Sequence, residues 1–136
     1  MEKRRAHLEM IQGIVNRLAS NSFLLKGWCV VLVSALFALA AQNSRTYLVL
    51  IAFFPACVFW VLDGYYLWQE RLFRELYNHV RGLSEDEIDF AMDTSIVKAK
   101  VEPWSEVVFS LTLLMFHGAV IGSIVVVMLV LKLGGR

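Results

Sequence analysis

Three long runs of residues without a charged side chain constrain this chain more than any other feature. Residues 27–44, 46–62 and 107–131 form runs of 18, 17 and 25 uncharged, mostly apolar residues. A bilayer core of about 30 Å needs roughly 20 helical residues to cross it. The two shorter runs gain length from apolar or aromatic flanks at 23–25 and 64–68. The sequence therefore predicts an all-α integral membrane protein with three transmembrane helices.

Composition argues against the alternative of a soluble protein with buried helices. The chain is 58% hydrophobic and 18% charged, whereas soluble domains have about 45–50% apolar and about 25% charged residues. The residues left over are too few to cover three such runs with a polar shell. A net charge of +1 makes a nucleic-acid partner unexpected.

Signature motifs of enzymes and cofactor sites are missing from the sequence. It has no Gly-rich phosphate loop, GxSxG, HExxH or CxxC motif. Its two cysteines lie within predicted spans, and its three histidines are scattered along the chain. We therefore expect no enzymatic activity, no cofactor and no catalytic or metal-binding residue.

Basic residues near the spans set the expected orientation. If the N-terminus and the segment 70–106 are cytoplasmic, ten Lys and Arg residues lie inside and three outside. The positive-inside rule favours this arrangement. The N-terminus is therefore expected to be cytoplasmic and the C-terminus external. The predicted parts are a cytoplasmic amphipathic helix (1–22), a transmembrane hairpin (23–69), a cytoplasmic helical segment (70–103), a third span (104–132) and an external tail (133–136).

The cytoplasmic parts are read from periodicity and capping residues. Apolar residues at helical spacing between Leu8 and Leu18 predict an amphipathic helix, capped at Asn21 or Ser22 before the first span. Its apolar face lies either on the inner leaflet or on the cytoplasmic segment. Gly82 is placed to end the helix that continues from the second span. A capping box at Ser84 predicts a short helix to about Met92, and the alternation over 96–102 has the period of a strand.

Two ionisable residues within the spans are candidates for a functional role, because such residues are costly in a membrane. Asp63 is placed near the inner interface, where Lys26 or Arg17 is positioned to pair with it. Counting from Glu106 places His117 near the middle of the third span, where a hydrogen bond to another helix is the first expectation. A pore or proton-transfer role is the alternative for both residues.

Two further groups of residues indicate contacts. The third span carries a GxxxG motif that permits close approach of helices, either within one protomer or between copies. Its small residues are Gly118, Ala119, Gly122 and Ser123. The cytoplasmic segment carries an acidic group, Glu85, Asp86, Glu87 and Asp89. These acids are expected to neutralise the basic N-terminal segment, or else to face a basic partner.

The layout of residues 5–81 resembles small bacterial membrane proteins of antiphage defence. The features that carry the resemblance are the helix over Leu8–Leu18, the tight hairpin over Gly27–Trp68 and the charged helix that continues from it. SLATT-type effectors resemble this plan, as do membrane accessory proteins found beside RNA-targeting CRISPR and adenosine-deaminase defence systems. The resemblance implies an oligomeric inner-membrane protein that permeabilises the membrane when a cytoplasmic defence protein signals.

Two other functions stay open. One is a membrane adaptor that tethers a cytoplasmic complex without forming a pore. The other is a small subunit of a transporter or respiratory complex in which Asp63 and His117 serve a pathway. For a pore-forming oligomer, the polar side chains available to line a lumen are few: Ser34, Ser110, Thr112, His117 and Ser123.

Overall fold

The fold was analysed in a computed structural model, which describes residues 1–43 and 45–135. It is helical, and no strand occurs among these residues. The α-helices are α1 (Glu2–Asn43), α2 (Tyr47–Ile51), α3 (Phe53–Arg81), α4 (Trp104–Val107) and α5 (Leu111–Gly134). Three helical stretches are long and apolar enough to cross a membrane: Glu2–Gln42, Tyr47–Arg81 and Leu111–Gly134. The fold class predicted from the charge-free runs is confirmed at this level.

Helix α1 is one uninterrupted helix of 42 residues. The predicted cap at Asn21 or Ser22 is therefore wrong, because the helix runs straight through both. The N-terminal part of α1 packs on the segment that follows the second span. Ile11 and Val15 are buried there against Leu76, Val80 and Val97. Of the two expectations for this apolar face, the structure shows packing on the chain itself.

Helices α1 and α3 form an antiparallel hairpin along nearly their whole length. At the turn end, Cys29, Val33 and Ala40 of α1 share an apolar cluster with Val49 of α2 and Ala56 of α3. A break at Ala52 separates α2 from α3. Pro55 accounts for it, because a proline lacks the N–H that would bond the carbonyl of residue 51, and its ring crowds that carbonyl. The predicted turn around Arg45 includes Ser44, which lies outside the described residues.

The stretch between α3 and α4, residues 82–103, is called the connector here. Gly82 ends α3 as predicted. The expected helix to Met92 is replaced by a 3₁₀ turn, Glu85–Glu87, followed by irregular chain. The strand period over 96–102 is also a wrong prediction, since Ser95–Lys100 form a second 3₁₀ helix. An edge strand would leave its backbone groups unpaired, whereas 3₁₀ bonds pair them locally while still burying Val97.

The third span is broken close to its start. Helix α4 ends at Val107, and α5 begins at Leu111 after Ser110, which has an extended backbone with ψ of 152°. Two residues of α3 accommodate the break. Trp60 Nε1 donates a hydrogen bond to the Val108 carbonyl oxygen at 2.8 Å, and Gly64 lets Val108 approach the α3 backbone. The predicted external tail ends at Arg136, outside the described residues.

Gly64 provides the first prediction. A Cβ at this position would lie 2.5 Å from Val108 Cγ2 and 3.2 Å from Val108 Cα, and a β-branched side chain cannot move aside without the backbone. We expect Gly64→Ala to destabilise the protein by about 1–3 kcal/mol, measured as thermal unfolding in detergent. Gly27→Ala is the matched control, because a Cβ there meets nothing within 4 Å. An unchanged melting temperature for Gly64→Ala would contradict this packing.

Candidate functional site

Three polar side chains from two of the long helices meet at a buried carboxylate on the third. Asp63 of α3 is fully buried. Its Oδ2 lies 2.6 Å from Lys26 Nζ and 2.7 Å from His117 Nε2. Its Oδ1 accepts a hydrogen bond from the Ser22 hydroxyl, and Lys26 Nζ donates to Ser22 Oγ at 2.8 Å. These residues, Ser22, Lys26, Asp63 and His117, are called the polar network below.

Helix geometry brings each member into place. Ser22 and Lys26 are four residues apart on α1 and therefore lie on the same face of the helix. His117 is only six residues beyond the start of α5 at Leu111. The break at residues 108–110 thus puts it much nearer the helix end than counting from Glu106 suggests. Counting along the sequence places His117 at mid-span and Asp63 at the inner interface, whereas the structure brings the two side chains into direct contact.

The same contacts decide which of the two predicted partners, Lys26 or Arg17, pairs with Asp63. Lys26 forms the ion pair, while Arg17 is exposed and has no ion pair within the described part of the chain. The side chain of Lys26 remains 23% exposed, and its ammonium lies 5.8 Å from the centroid of the Phe116 ring. Lys26 is thus the charged member of the network whose side chain still reaches the protein surface.

Aromatic rings enclose His117. Trp60 stacks on it with the centroids 5.9 Å apart and the planes 2° apart, and Phe116 meets it edge-on at 5.0 Å. His117 Nε2 contacts the carboxylate, and a carboxylate only accepts hydrogen bonds when ionised. Nε2 therefore carries a hydrogen atom and donates a hydrogen bond to Asp63. Nδ1 is buried and has no hydrogen-bond partner among the described residues.

The small residues of α5 face away from the rest of the protomer. Gly118, Ala119, Gly122 and Ser123 are all exposed, and a Cβ on either glycine would meet nothing within 4 Å. The Ser123 hydroxyl donates to the Ala119 carbonyl oxygen of its own helix at 2.8 Å. Packing within one protomer therefore does not use this face, which is called the small-residue face below.

The acidic group of the connector is partly engaged within the chain. Glu85 pairs with the N-terminal amino group, and this contact holds the pKa of Glu85 below its ordinary value. Glu87 accepts a hydrogen bond from the Ser84 backbone N–H at 2.8 Å, which lowers the pKa of Glu87. Asp89 accepts from the Ala91 N–H at 2.9 Å, while Asp86 is exposed. Neutralisation by the N-terminal segment is thus observed at Glu85.

Sequence reasoning missed Ser22 and Trp60 as parts of this site. Ser22 was assigned to a helix cap, although its i,i+4 spacing from Lys26 places both on one face. Trp60 has an indole N–H that must find an acceptor when it is buried, and this requirement was the available signal. Its acceptor is the Val108 carbonyl oxygen. This oxygen is free to accept the bond only because the third span is broken, and the uninterrupted run of apolar residues does not indicate that break.

Comparisons with known proteins yielded no match among protein families, curated proteins or solved structures. Within the described residues, no group of three or more His, Cys, Asp or Glu side chains is arranged to hold a metal ion. What the polar network can do follows from its chemistry. It ties three helices together, and it contains a basic nitrogen, His117 Nδ1, whose lone pair is unused.

The second prediction concerns Asp63. Asp63→Ala leaves Lys26 without a counter-ion and His117 without an acceptor, and breaking a buried ion pair from one side costs about 3–5 kcal/mol. Asp63→Asn keeps an acceptor oxygen for these donors, so it is expected to cost clearly less. Thermal unfolding in lipid nanodiscs compares the two variants. Equal destabilisation by Ala and Asn would contradict a hydrogen-bonding role for the side chain.

Proposed function

We propose that the protein is an inner-membrane protein that assembles with itself through α5 and permeabilises the bilayer in response to a cytoplasmic partner. The observation that carries this proposal is the small-residue face. Small residues four apart on a lipid-facing helix favour close helix association, and this face is left uncovered by the protomer's own helices.

The lengths of the helices and the positions of aromatic rings support the membrane placement. Helix α1 has 42 residues, about 63 Å at 1.5 Å per residue, roughly twice the thickness of the hydrocarbon core. Its N-terminal half therefore extends beyond the membrane. Tyr65 contacts Trp68 and Trp104, and such aromatic clusters are typical of the membrane–water interface. The polar network then lies just inside that boundary.

The orientation keeps the N-terminus and the connector in the cytoplasm. The basic residues at this end of α1, in the C-terminal part of α3 and in the connector support it under the positive-inside rule. The shared cluster of Ile11, Val15, Leu76 and Val97 supports placing the two pieces on one side of the membrane. The test is a reporter enzyme that works only in the cytoplasm, fused after Gly135. Activity of this fusion would contradict the orientation.

Assembly through α5 would leave few polar atoms to line a shared lumen. Ser34, Thr112 and Ser123 are exposed, whereas His117 faces Asp63 within the protomer. The Ser110 hydroxyl is buried. His117 and Ser110 are therefore withdrawn from the lumen-lining set. A lumen lined mainly by apolar side chains can be closed by dewetting, which fits a protein that is harmless at rest.

The unbroken α1 supports triggering from the cytoplasmic face. One end of α1 carries Ile11 and Val15, which pack on α3 and on Val97 of the connector. Further along, Ser22 and Lys26 reach the polar network. A partner that displaces the connector would thus act on α1, the helix whose Ser22 and Lys26 contact Asp63. Asp86 and Asp89 are exposed there and suit a basic partner surface.

The assembly prediction uses Gly122→Leu. The added side chain has open space within the protomer, and leucine favours helix more than glycine does, so the protomer should remain folded. We expect a lower oligomer mass in detergent, because contact between copies requires the small residue.

Gly27→Leu is the control for this experiment, since Gly27 is an exposed helical glycine that also has nothing within 4 Å of a Cβ. It should assemble like the native protein. An unchanged oligomer mass for Gly122→Leu would exclude the small-residue face as the assembly surface.

The link to antiphage defence is the part of the proposal that rests on the resemblance of residues 5–81 to defence effectors. A membrane-potential dye, read during phage challenge in cells that express the protein with its genomic neighbours, tests this link. Depolarisation that coincides with protection supports the effector. Protection without depolarisation would favour the adaptor that tethers a cytoplasmic complex.

A further inference from the structure

His117 has a chemical capacity that its contact with Asp63 does not use. A neutral imidazole carries one N–H donor and one acceptor nitrogen. Nε2 supplies the donor to Asp63, and Nδ1 retains a lone pair that meets no partner although the residue is only 1% exposed. Buried polar atoms without a partner are rare in native proteins, and each calls for an explanation. If position 117 had to supply only a hydrogen-bond donor to Asp63, a tryptophan N–H would do so and would carry no basic nitrogen.

The surroundings of the ring restrict what Nδ1 can bind. Trp60 covers one face of the imidazole, and the Phe116 ring meets it edge-on. A proton adds to Nδ1 in the plane of the imidazole and therefore displaces neither ring. The charges in contact with the site are the Lys26 ammonium and the Asp63 carboxylate. The Cys29 thiol of α1 lies within electrostatic range of Asp63, and α5 has no other titratable group between Glu106 and Lys132.

We propose that Lys26, Asp63 and His117 form a proton-binding site, in which His117 Nδ1 accepts the proton, Asp63 keeps its hydrogen bond from His117 Nε2 and the ion pair of Asp63 with Lys26 is released. The proposal goes beyond permeabilisation, because it concerns events within one protomer.

Charge balance gives the reason for the release. Before the proton binds, one ammonium and one carboxylate cancel, and the imidazole is neutral. Afterwards two cations contact the same oxygen, Asp63 Oδ2. A surplus charge is costly in an apolar environment. Lys26 is the partly exposed member, and a lysine stem can carry its ammonium to the membrane interface. Lys26 therefore leaves, and the imidazolium keeps the carboxylate.

Histidine protonation measured by ¹⁵N NMR on the full-length protein in nanodiscs tests this proposal. The signal of His117 is identified by its loss in His117→Gln. We expect a neutral imidazole with the proton on Nε2 at high pH and an imidazolium at low pH. Lys26→Met removes the competing cation and should raise the ratio of imidazolium to neutral imidazole at a given pH by at least about tenfold, since a like charge in contact disfavours protonation. Asp63→Asn should lower that ratio.

These shifts separate a proton site from a purely structural hydrogen bond. A His117 signal that stays neutral between about pH 4 and pH 9, in both the native protein and Lys26→Met, would overturn the proposal. An imidazolium ratio unchanged by Lys26→Met would overturn the release of Lys26. Oligomer mass is measured separately, so a failure of assembly leaves this result intact.

Discussion

A carboxylate buried among apolar helices must be compensated, and the rest of this structure follows from how that is done. An isolated ionised group in a low-dielectric interior is very costly. Asp63 meets this constraint with three donors, one hydroxyl, one ammonium and one imidazole, which come from α1 and α5. The same residues that stabilise the charge therefore fix the relative positions of all three long helices.

Two features place α5 at the network. The break between α4 and α5 moves the start of the long helix towards Asp63, and Trp60 occupies the carbonyl oxygen that the break exposes. Gly64 permits the close approach at Val108. The opposite side of α5 is then free, and it carries the small residues. One helix thus has an inner face committed to the protomer and an outer face that the described part of the protomer leaves uncovered.

The sequence allowed the large elements to be predicted but not their contacts. Charge-free runs identify apolar helices because charged residues are excluded from them, and Gly82 ends α3 as its position indicates. Ser22 was misassigned because serine suits both a helix cap and an interior position that bonds across helices. The pairing of Asp63 with His117 was missed because depth was counted along an unbroken helix. The strand period over 96–102 failed because so short an alternation also fits one 3₁₀ helix that buries Val97.

The central claim, that one carboxylate joins three helices, is tested most directly by the separation of His117 and Asp63 in a bilayer. Solid-state NMR on protein labelled with ¹³C-aspartate and ¹⁵N-histidine measures this separation by dipolar dephasing. The account predicts an aspartate carboxyl carbon within about 4 Å of a histidine nitrogen, as a direct hydrogen bond requires, and loss of that dephasing in His117→Gln. Dephasing that is absent, or that persists in His117→Gln, would contradict it.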